Sequence, residues 1–187
     1  MITTQPIIKK LEKKESDIDN ILSMNRKIIR ICAKGIKDVH RRDMIEAKKS
    51  IENSKTELKK LKKFGNEYDK YYLCVEQEYT ELVVLYNLVS KNKLPSQKQL
   101  QVGEISYLNG IMDCVGELRR YMLDSVNKND IETARKMFEM MQEIYDATLP
   151  INFSGAILPN FKQKQDVARR QVESARSELT YAIISKR

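Results

Sequence analysis

Apolar residues recur every three or four positions through six long segments of this 187-residue chain, and this spacing constrains its fold more than any other feature. Residues separated by three or four positions lie on one face of an α-helix. No segment has the two-residue alternation of a half-buried strand. The sequence therefore predicts an all-α fold of about six to seven helices in one domain, residues 1–187. The predicted helices cover residues 6–39, 43–63, 67–90 and 104–126, a fifth that begins at Asn129 or Asp130, and 160–185.

The composition describes a basic chain with few cysteines. Lys and Arg number 34 against 26 Asp and Glu, a net charge of +8, which suits either a phosphate-bearing partner or a solvated lysine-rich surface. Cys32, Cys74 and Cys114 are far apart and lie on or beside predicted apolar faces, so we expect them to be small buried residues in a reducing interior. No run approaches the roughly 18 apolar residues of a membrane span. We expect a cytoplasmic protein without a membrane partner.

The single histidine limits the available chemistry. His40 rules out multi-histidine zinc sites and catalysis by a pair of histidines. If this chain hydrolyses a substrate, carboxylates must carry the reaction.

Two glutamates lie in the apolar arc of the third predicted helix. Glu78 and Glu81 fall among Tyr71, Leu82 and Leu85, whereas the opposite arc carries Glu76, Gln77, Thr80 and Asn87. A buried charge without a partner is costly. Either the two carboxylates face a cavity that water and a cation can enter, or basic residues of a neighbouring helix neutralise them.

The fourth predicted helix adds two acids and two glycines. Asp113 and Glu117 lie one turn apart on its polar arc, where a solvated edge is also a reasonable interpretation. Gly110 and Gly116 each cost about 1 kcal/mol of helix stability relative to Ala. Their presence indicates close approach by another helix or by a ligand.

A row of cations lies opposite the apolar face of the first predicted helix. Its members fall within a sector about 80° wide. They form either a solvated surface row or a stripe that binds nucleic-acid phosphates. The second alternative has a physical reason: like charges stacked along a helix repel one another, and a bound polyanion would relieve this repulsion. We predict this stripe as the RNA-binding surface: Lys27, Arg30, Lys34, Lys37 and Arg41.

Several short sequence motifs resemble those of the translin/Trax family, and those of Trax in particular. They are QEYTE (77–81), YLNGIMDCVGELRR (107–120), DSV (124–126), NDIE (129–132), IYD (144–146) and, more loosely, DVARRQVE (166–173). The resemblance implies a translin-like antiparallel helical bundle that assembles into closed, hollow octamers and binds single-stranded nucleic acid inside. It also implies a minimal, prokaryote-type member that forms a homo-oligomer, with or without a translin-like subunit.

By the same resemblance, this chain is of the catalytic type, a metal-dependent endoribonuclease. Glu78 and Glu81 match the paired glutamates of the Trax site, and Asp113 matches its aspartate. Glu117 occurs in a motif that is common to both branches of the family. It is therefore either a catalytic residue that does not bind the metal directly or a structural carboxylate. Carboxylates from two helices suit Mg²⁺ or Mn²⁺.

Two other interpretations remain open at this point. In one, the protein is a non-catalytic, translin-like oligomer that binds single-stranded RNA or DNA. In the other, it is a helical scaffold whose acids pair with Arg119 or Arg120.

Overall fold

The computed structural model describes residues 4–185, and all regular structure in this range is helical. Seven α-helices follow one another, and two 3₁₀ turns (Lys62–Phe64 and Asn66–Tyr68) join the second to the third. The predicted all-α fold is confirmed, and the long helices end within two residues of the predicted positions. The helices are α1 (Gln5–His40), α2 (Met44–Leu61), α3 (Asp69–Lys91), α4 (Gln97–Leu100), α5 (Glu104–Asn127), α6 (Ile131–Thr148) and α7 (Phe161–Ile184).

Side-chain caps fix where several helices begin. Asp43 accepts a hydrogen bond from the Glu46 amide at the start of α2, and Asp130 does the same for the Thr133 amide at the start of α6, both at 3.1 Å. Asp130, and not Asn129, is therefore the cap of α6. Between α3 and α5, the one-turn helix α4 begins in a capping box made by Ser96.

The bundle is built around α3 and α5. Helix α3 packs against α1, α2 and α5, while α5 also packs against α6 and α7. Gly110 lets α3 and α5 approach closely, because a Cβ atom at this position would lie 2.7 Å from Thr80 Cβ and 2.8 Å from the Gln77 carbonyl oxygen. The close helix approach predicted from this glycine is confirmed.

The polar arc predicted for α3 is not a solvent face. Glu76 and Thr80 are buried, because α3 is covered by neighbouring helices on more than one side. The Glu76 carboxylate pairs with Lys62 and accepts a hydrogen bond from the Gly103 amide at 3.0 Å, while Thr80 donates to the Glu76 carbonyl oxygen at 2.8 Å. The buried polar groups of this arc are thus satisfied within the protein.

The cysteines divide into two groups. Cys32 and Cys114 are buried as predicted, but Cys74 is exposed, so its predicted burial is wrong. It lies one turn before Glu78 on α3, close enough to the charges of Glu78, Lys164 and Asp113 for them to affect its pKa. In residues 4–185, no helix is long and apolar enough to cross a bilayer.

Candidate functional site

An open cavity of about 750 Å³ lies between α3, α5 and α7. Each helix presents one face to it, since the lining residues recur at intervals of three and four along α5 and α7. Four carboxylates, four amides and one lysine supply its polar groups. The lining residues are Gln77, Glu78, Glu81, Met112, Asp113, Gly116, Glu117, Asn160, Gln163, Lys164, Val167 and Gln171. The structure therefore brings together all four acidic residues that the sequence singled out.

Asp113 is held by residues on both sides of the cavity. The Lys164 ammonium of α7 pairs with Asp113 Oδ1, and Gln77 Nε2 of α3 donates to Asp113 Oδ2 at 2.7 Å. The solvated edge considered for this carboxylate is thus excluded. Lys164 is half-buried and, of the lysines in residues 4–185, is the one that lines the cavity.

Glu78 and Glu81 carry no such partner. Among residues 4–185, neither glutamate forms an ion pair. Burial raises the pKa of Glu81 to about 8, with further contributions from the negative charges of Asp113, Glu78 and Glu117. Burial and the Asp113 charge also raise the pKa of Glu78, and Lys164 only partly opposes them. Of the two alternatives for the misplaced glutamates, the structure supports a cavity that water can enter.

Glu117 has a partner that the sequence did not reveal. His40, the last residue of α1, places Nε2 2.5 Å from Glu117 Oε2 and is itself buried. The hydrogen bond from His40 lowers the pKa of Glu117 below its ordinary value, although burial acts in the opposite direction. The carboxylate therefore stays ionised in a site that discourages ionisation at Glu81. The only sequence signal was that a lone histidine ends a long amphipathic helix.

The donor types suit a hard divalent cation, but their present arrangement does not yet surround one. Carboxylate and amide oxygens are the ligands that Mg²⁺ and Mn²⁺ prefer. Within residues 4–185, no three His, Cys, Asp or Glu side chains are arranged so that they could hold a metal ion. Lys164 already pairs with Asp113, so an ion that used Asp113 as a ligand would compete with that lysine.

The predicted cation stripe lies on the exposed side of α1, and none of its members lines the acidic cavity. Lys27 pairs with Glu57 of α2 at 2.8 Å, and Lys34 pairs with Asp38 and Glu46 at 2.8 and 3.2 Å. Arg30 lines a shallow groove beside these two lysines. Part of the stripe is thus neutralised within the protein, and its binding to RNA stays a prediction.

Of the two arginines proposed as partners of the acids, Arg119 pairs with a different residue and Arg120 approaches only Glu117. Arg119 forms an ion pair with Glu178 of α7, and Arg120, which is largely exposed, lies 3.8 Å from Glu117. Neither pairs with Glu78, Glu81 or Asp113 in the part of the chain that the structure describes. The scaffold interpretation loses its main support.

The fold and the site together define a class of protein: helical bundles with an open, carboxylate-lined cavity between three helices. The translin family model matches residues 9–179, and the chain belongs to the translin family. It is 29% identical over 177 residues to an uncharacterized protein of Methanocaldococcus jannaschii, covering 92% of this chain and 79% of that protein.

Solved structures show the same fold. AfC3PO in complex with duplex RNA superposes with a TM-score of 0.91 at 28% identity, and a crystal structure of AfC3PO does so with 0.90 at 28% identity; both cover 98% of each chain. The crystal structure of apo-NeC3PO gives a TM-score of 0.87 at 23% identity, over 97% of this chain and 98% of that one. At this lower identity, apo-NeC3PO supports the fold alone.

Proposed function

We propose that this protein is a Trax-like, metal-dependent endoribonuclease that cleaves single-stranded RNA inside a hollow cytoplasmic oligomer. The observation that carries this proposal is the open cavity in which two half-buried glutamates, Glu78 and Glu81, have no positive partner among residues 4–185. Such a concentration of carboxylates favours either protonation or a bound cation. Together with the raised pKa of Glu81, this arrangement is typical of a functional site and not of a solvated helix surface.

Three side chains would hold the ion, Mg²⁺ or Mn²⁺: Glu78 and Glu81 from α3 and Asp113 from α5. When bound, such an ion supplies an activated water and positive charge next to the scissile phosphate.

The chain's own residues then orient the substrate. Lys164, once released from Asp113, is placed to contact a phosphate oxygen, because its ammonium already reaches the centre of the cavity. The amides of Asn160, Gln163 and Gln171 line the α7 wall and offer hydrogen-bond donors and acceptors to ribose and phosphate groups. Glu117 is held on the α5 wall by His40 and is not among the proposed ligands.

RNA is the proposed substrate because AfC3PO, a structural relative with 28% identity, has been captured with duplex RNA. The predicted stripe on α1 would contribute phosphate contacts through Arg30, Lys37 and Arg41, whose side chains have no ion-pair partner in residues 4–185. Contacts of this kind predict strong salt dependence and weak sequence preference. Since the relative holds a duplex, single-stranded and duplex RNA should be compared directly.

Exposed apolar residues support assembly into an oligomer. Ile7 and Leu11 are each 60% exposed on the first turns of α1, where every described residue up to Ser16 is exposed. Tyr181 and Ile184 are 76% and 64% exposed near the end of α7. Apolar surface of this kind is typical of subunit contacts. We propose a homo-octamer, with a mixed assembly containing a translin-like subunit as the alternative, and light scattering measures the number of subunits.

A second candidate function is favoured by one specific observation. Lys164 neutralises Asp113, and the acids do not form a ready ligand set, as expected for a translin-like oligomer that binds single-stranded RNA or DNA without cleaving it. Incubation of labelled RNA with the protein and Mg²⁺, with and without a chelator, separates the two candidates. The nuclease cleaves only when Mg²⁺ is present, whereas the binding protein retains intact RNA under both conditions.

Asp113→Asn is the matched control for that assay, because asparagine keeps the size of the side chain and can still accept the hydrogen bond from Gln77. We expect the variant to bind RNA and to assemble normally without cleaving. Cleavage by Asp113→Asn at the wild-type rate would show that the products do not depend on the Asp113 carboxylate and would refute the proposed site.

A further inference from the structure

His40 is the group that joins α1 to the acidic cavity. Its side chain is only 5% exposed, and its ring lies 6.0 Å from that of Tyr121, between α1 and α5. Nε2 contacts Glu117 Oε2 at 2.5 Å, across 77 residues of sequence. Glu117 in turn lines the cavity together with Glu81 and Asp113. The histidine thus reaches the cavity only through this carboxylate.

The hydrogen bond defines which ring nitrogen carries the proton. Ionised Glu117 can only accept, so Nε2 of His40 must donate. Nδ1 is buried and has no hydrogen-bond partner in the described part of the chain, where the nearest carboxylate to it, that of Asp124, is 3.9 Å away. An apolar residue would fill this space without leaving a buried polar atom unpaired. The contact to Glu117 is therefore the one polar interaction that accounts for a histidine here.

Other charged groups near the pair are less well placed to hold Glu117. Arg120 is 3.8 Å from Glu117 Oε2, but its side chain is 60% exposed. Arg42 stacks over the Tyr121 ring at 5.8 Å and lies 3.6 Å from Asp130. Neither arginine reaches Glu117 at hydrogen-bond distance. The orientation of the carboxylate depends on His40.

We infer that His40 is a positioning residue of the site: its Nε2–H fixes Glu117 against the α5 wall, with the free oxygen available to accept a hydrogen bond from the water that attacks the scissile phosphate. This inference rests on the proposed nuclease function for the role of Glu117. The His40–Glu117 pair itself is a feature of the fold and can be tested without any cleavage.

Two substitutions separate positioning from packing. Glutamine carries an amide nitrogen at a reach close to that of Nε2, whereas leucine fills the space and donates nothing. For His40→Leu we expect kcat for RNA cleavage to fall about 10- to 100-fold, the usual effect of removing a residue that orients a ligand or base at a metal site. KM and Mn²⁺ affinity, the latter measured by electron paramagnetic resonance, should stay within about twofold, because Glu117 is not a proposed ligand. His40→Gln should recover most of the lost kcat.

Two kinetic outcomes overturn the inference. If His40→Leu cleaves as fast as the wild type, the histidine does not position a reacting group. If His40→Gln and His40→Leu are equally slow, the effect comes from packing and not from the donated hydrogen bond. Thermal melting of both variants identifies loss of folding, and in that case the spectroscopic test below decides.

The spectroscopic test uses the wild-type protein and Glu117→Gln, and it needs no activity. Because His40 is the only histidine, its ring gives a single set of ¹⁵N signals. We expect a protonated Nε2 whose signals move in Glu117→Gln and also when Mg²⁺ is added to the wild type. If the His40 ring signals do not change in Glu117→Gln, the His40–Glu117 hydrogen bond is refuted, whether or not the protein cleaves RNA. If the pair responds but no RNA is cleaved, the nuclease proposal fails and the structural contact stands.

Discussion

Replacement of Glu81 by glutamine tests the electrostatics of the cavity directly. Burial and three neighbouring carboxylates raise the pKa of Glu81 from its ordinary 4.5 to about 8 in the folded protein. In the unfolded chain the same carboxyl ionises near 4.5, so between these two pH values the folded state binds more protons than the unfolded state. The contribution of Glu81 to the free energy of unfolding of the metal-free protein must therefore decrease as pH rises from about 4.5 to about 8.

The magnitude follows from the size of the shift. One pKa unit corresponds to about 1.4 kcal/mol, so the penalty at pH 8.5 is about 5 kcal/mol at most. Since the cavity is open to water, which stabilises the ionised form, we expect about 2 to 5 kcal/mol. Glu81→Gln removes this penalty without losing a hydrogen bond, because the Glu81 side chain makes none within residues 4–185.

The assay is urea unfolding of both proteins at fixed concentration, in chelator and reducing agent, from pH 5 to pH 8.5. The two proteins should be nearly equal in stability at pH 5, and the variant should be the more stable at pH 8.5. Glu52→Gln, at an exposed position on α2, is the control and should follow the wild type at every pH. Wild-type and Glu81→Gln curves that coincide at pH 8.5 would refute the reasoning. Mg²⁺ should stabilise the wild type at pH 8.5 more than it stabilises the variant.

The remaining predictions address cleavage, metal affinity, packing and RNA binding. Asp113→Asn should lower cleavage at least about 100-fold while gel-shift affinity for RNA stays within about twofold, and an active variant would exclude Asp113 from catalysis. Lys164→Met should bind Mn²⁺ more tightly in titration calorimetry, because a competing cation is removed, yet cleave more slowly; unchanged Mn²⁺ affinity would mean that the lysine does not compete. Gly110→Ala should lose about 1 to 3 kcal/mol of unfolding free energy from overpacking, whereas Gly155→Ala, which has no atom within 4 Å of a new Cβ, should be nearly neutral. Lys37→Glu should weaken RNA binding and flatten its salt dependence, and an unaltered salt slope would assign the α1 stripe to the solvated surface.

Local patterns predicted the helices well because each long helix carries its own apolar periodicity. The same patterns were less reliable for burial on α3. A helical wheel assigns one buried face, but α3 is covered by three other helices, so Glu76 and Thr80 are buried on the arc predicted to be polar. Cys74 shows the opposite error, since it belongs to the predicted apolar arc and is nevertheless exposed. Which faces of a helix are covered by neighbouring helices depends on the tertiary fold, and the sequence of a single helix does not reveal it.

The acidic side of the cavity could be identified from the sequence, whereas its partners could not. Glu78 and Glu81 are conspicuous because they interrupt an apolar arc, and Asp113 occurs in a motif that resembles one of the translin/Trax family. Lys164 is 51 residues away from Asp113 and His40 is 77 residues away from Glu117, in helices where each is one cationic or polar residue among many. No local spacing distinguishes them, and only the packing of α1 and α7 against the centre of the bundle brings them to the acids.

The four carboxylates of the cavity fall into two kinds, and the difference bears on how the site works. Asp113 and Glu117 are each held by donors from other helices, which keeps their direction fixed. Glu78 and Glu81 form no ion pair within residues 4–185, and burial makes their ionisation unfavourable. A protein that needed these two glutamates only for stability would gain by replacing them with amides or apolar residues. Their presence in an open cavity is the ground on which we propose a bound cation, and the two fixed carboxylates would then determine the side from which that cation and its water approach.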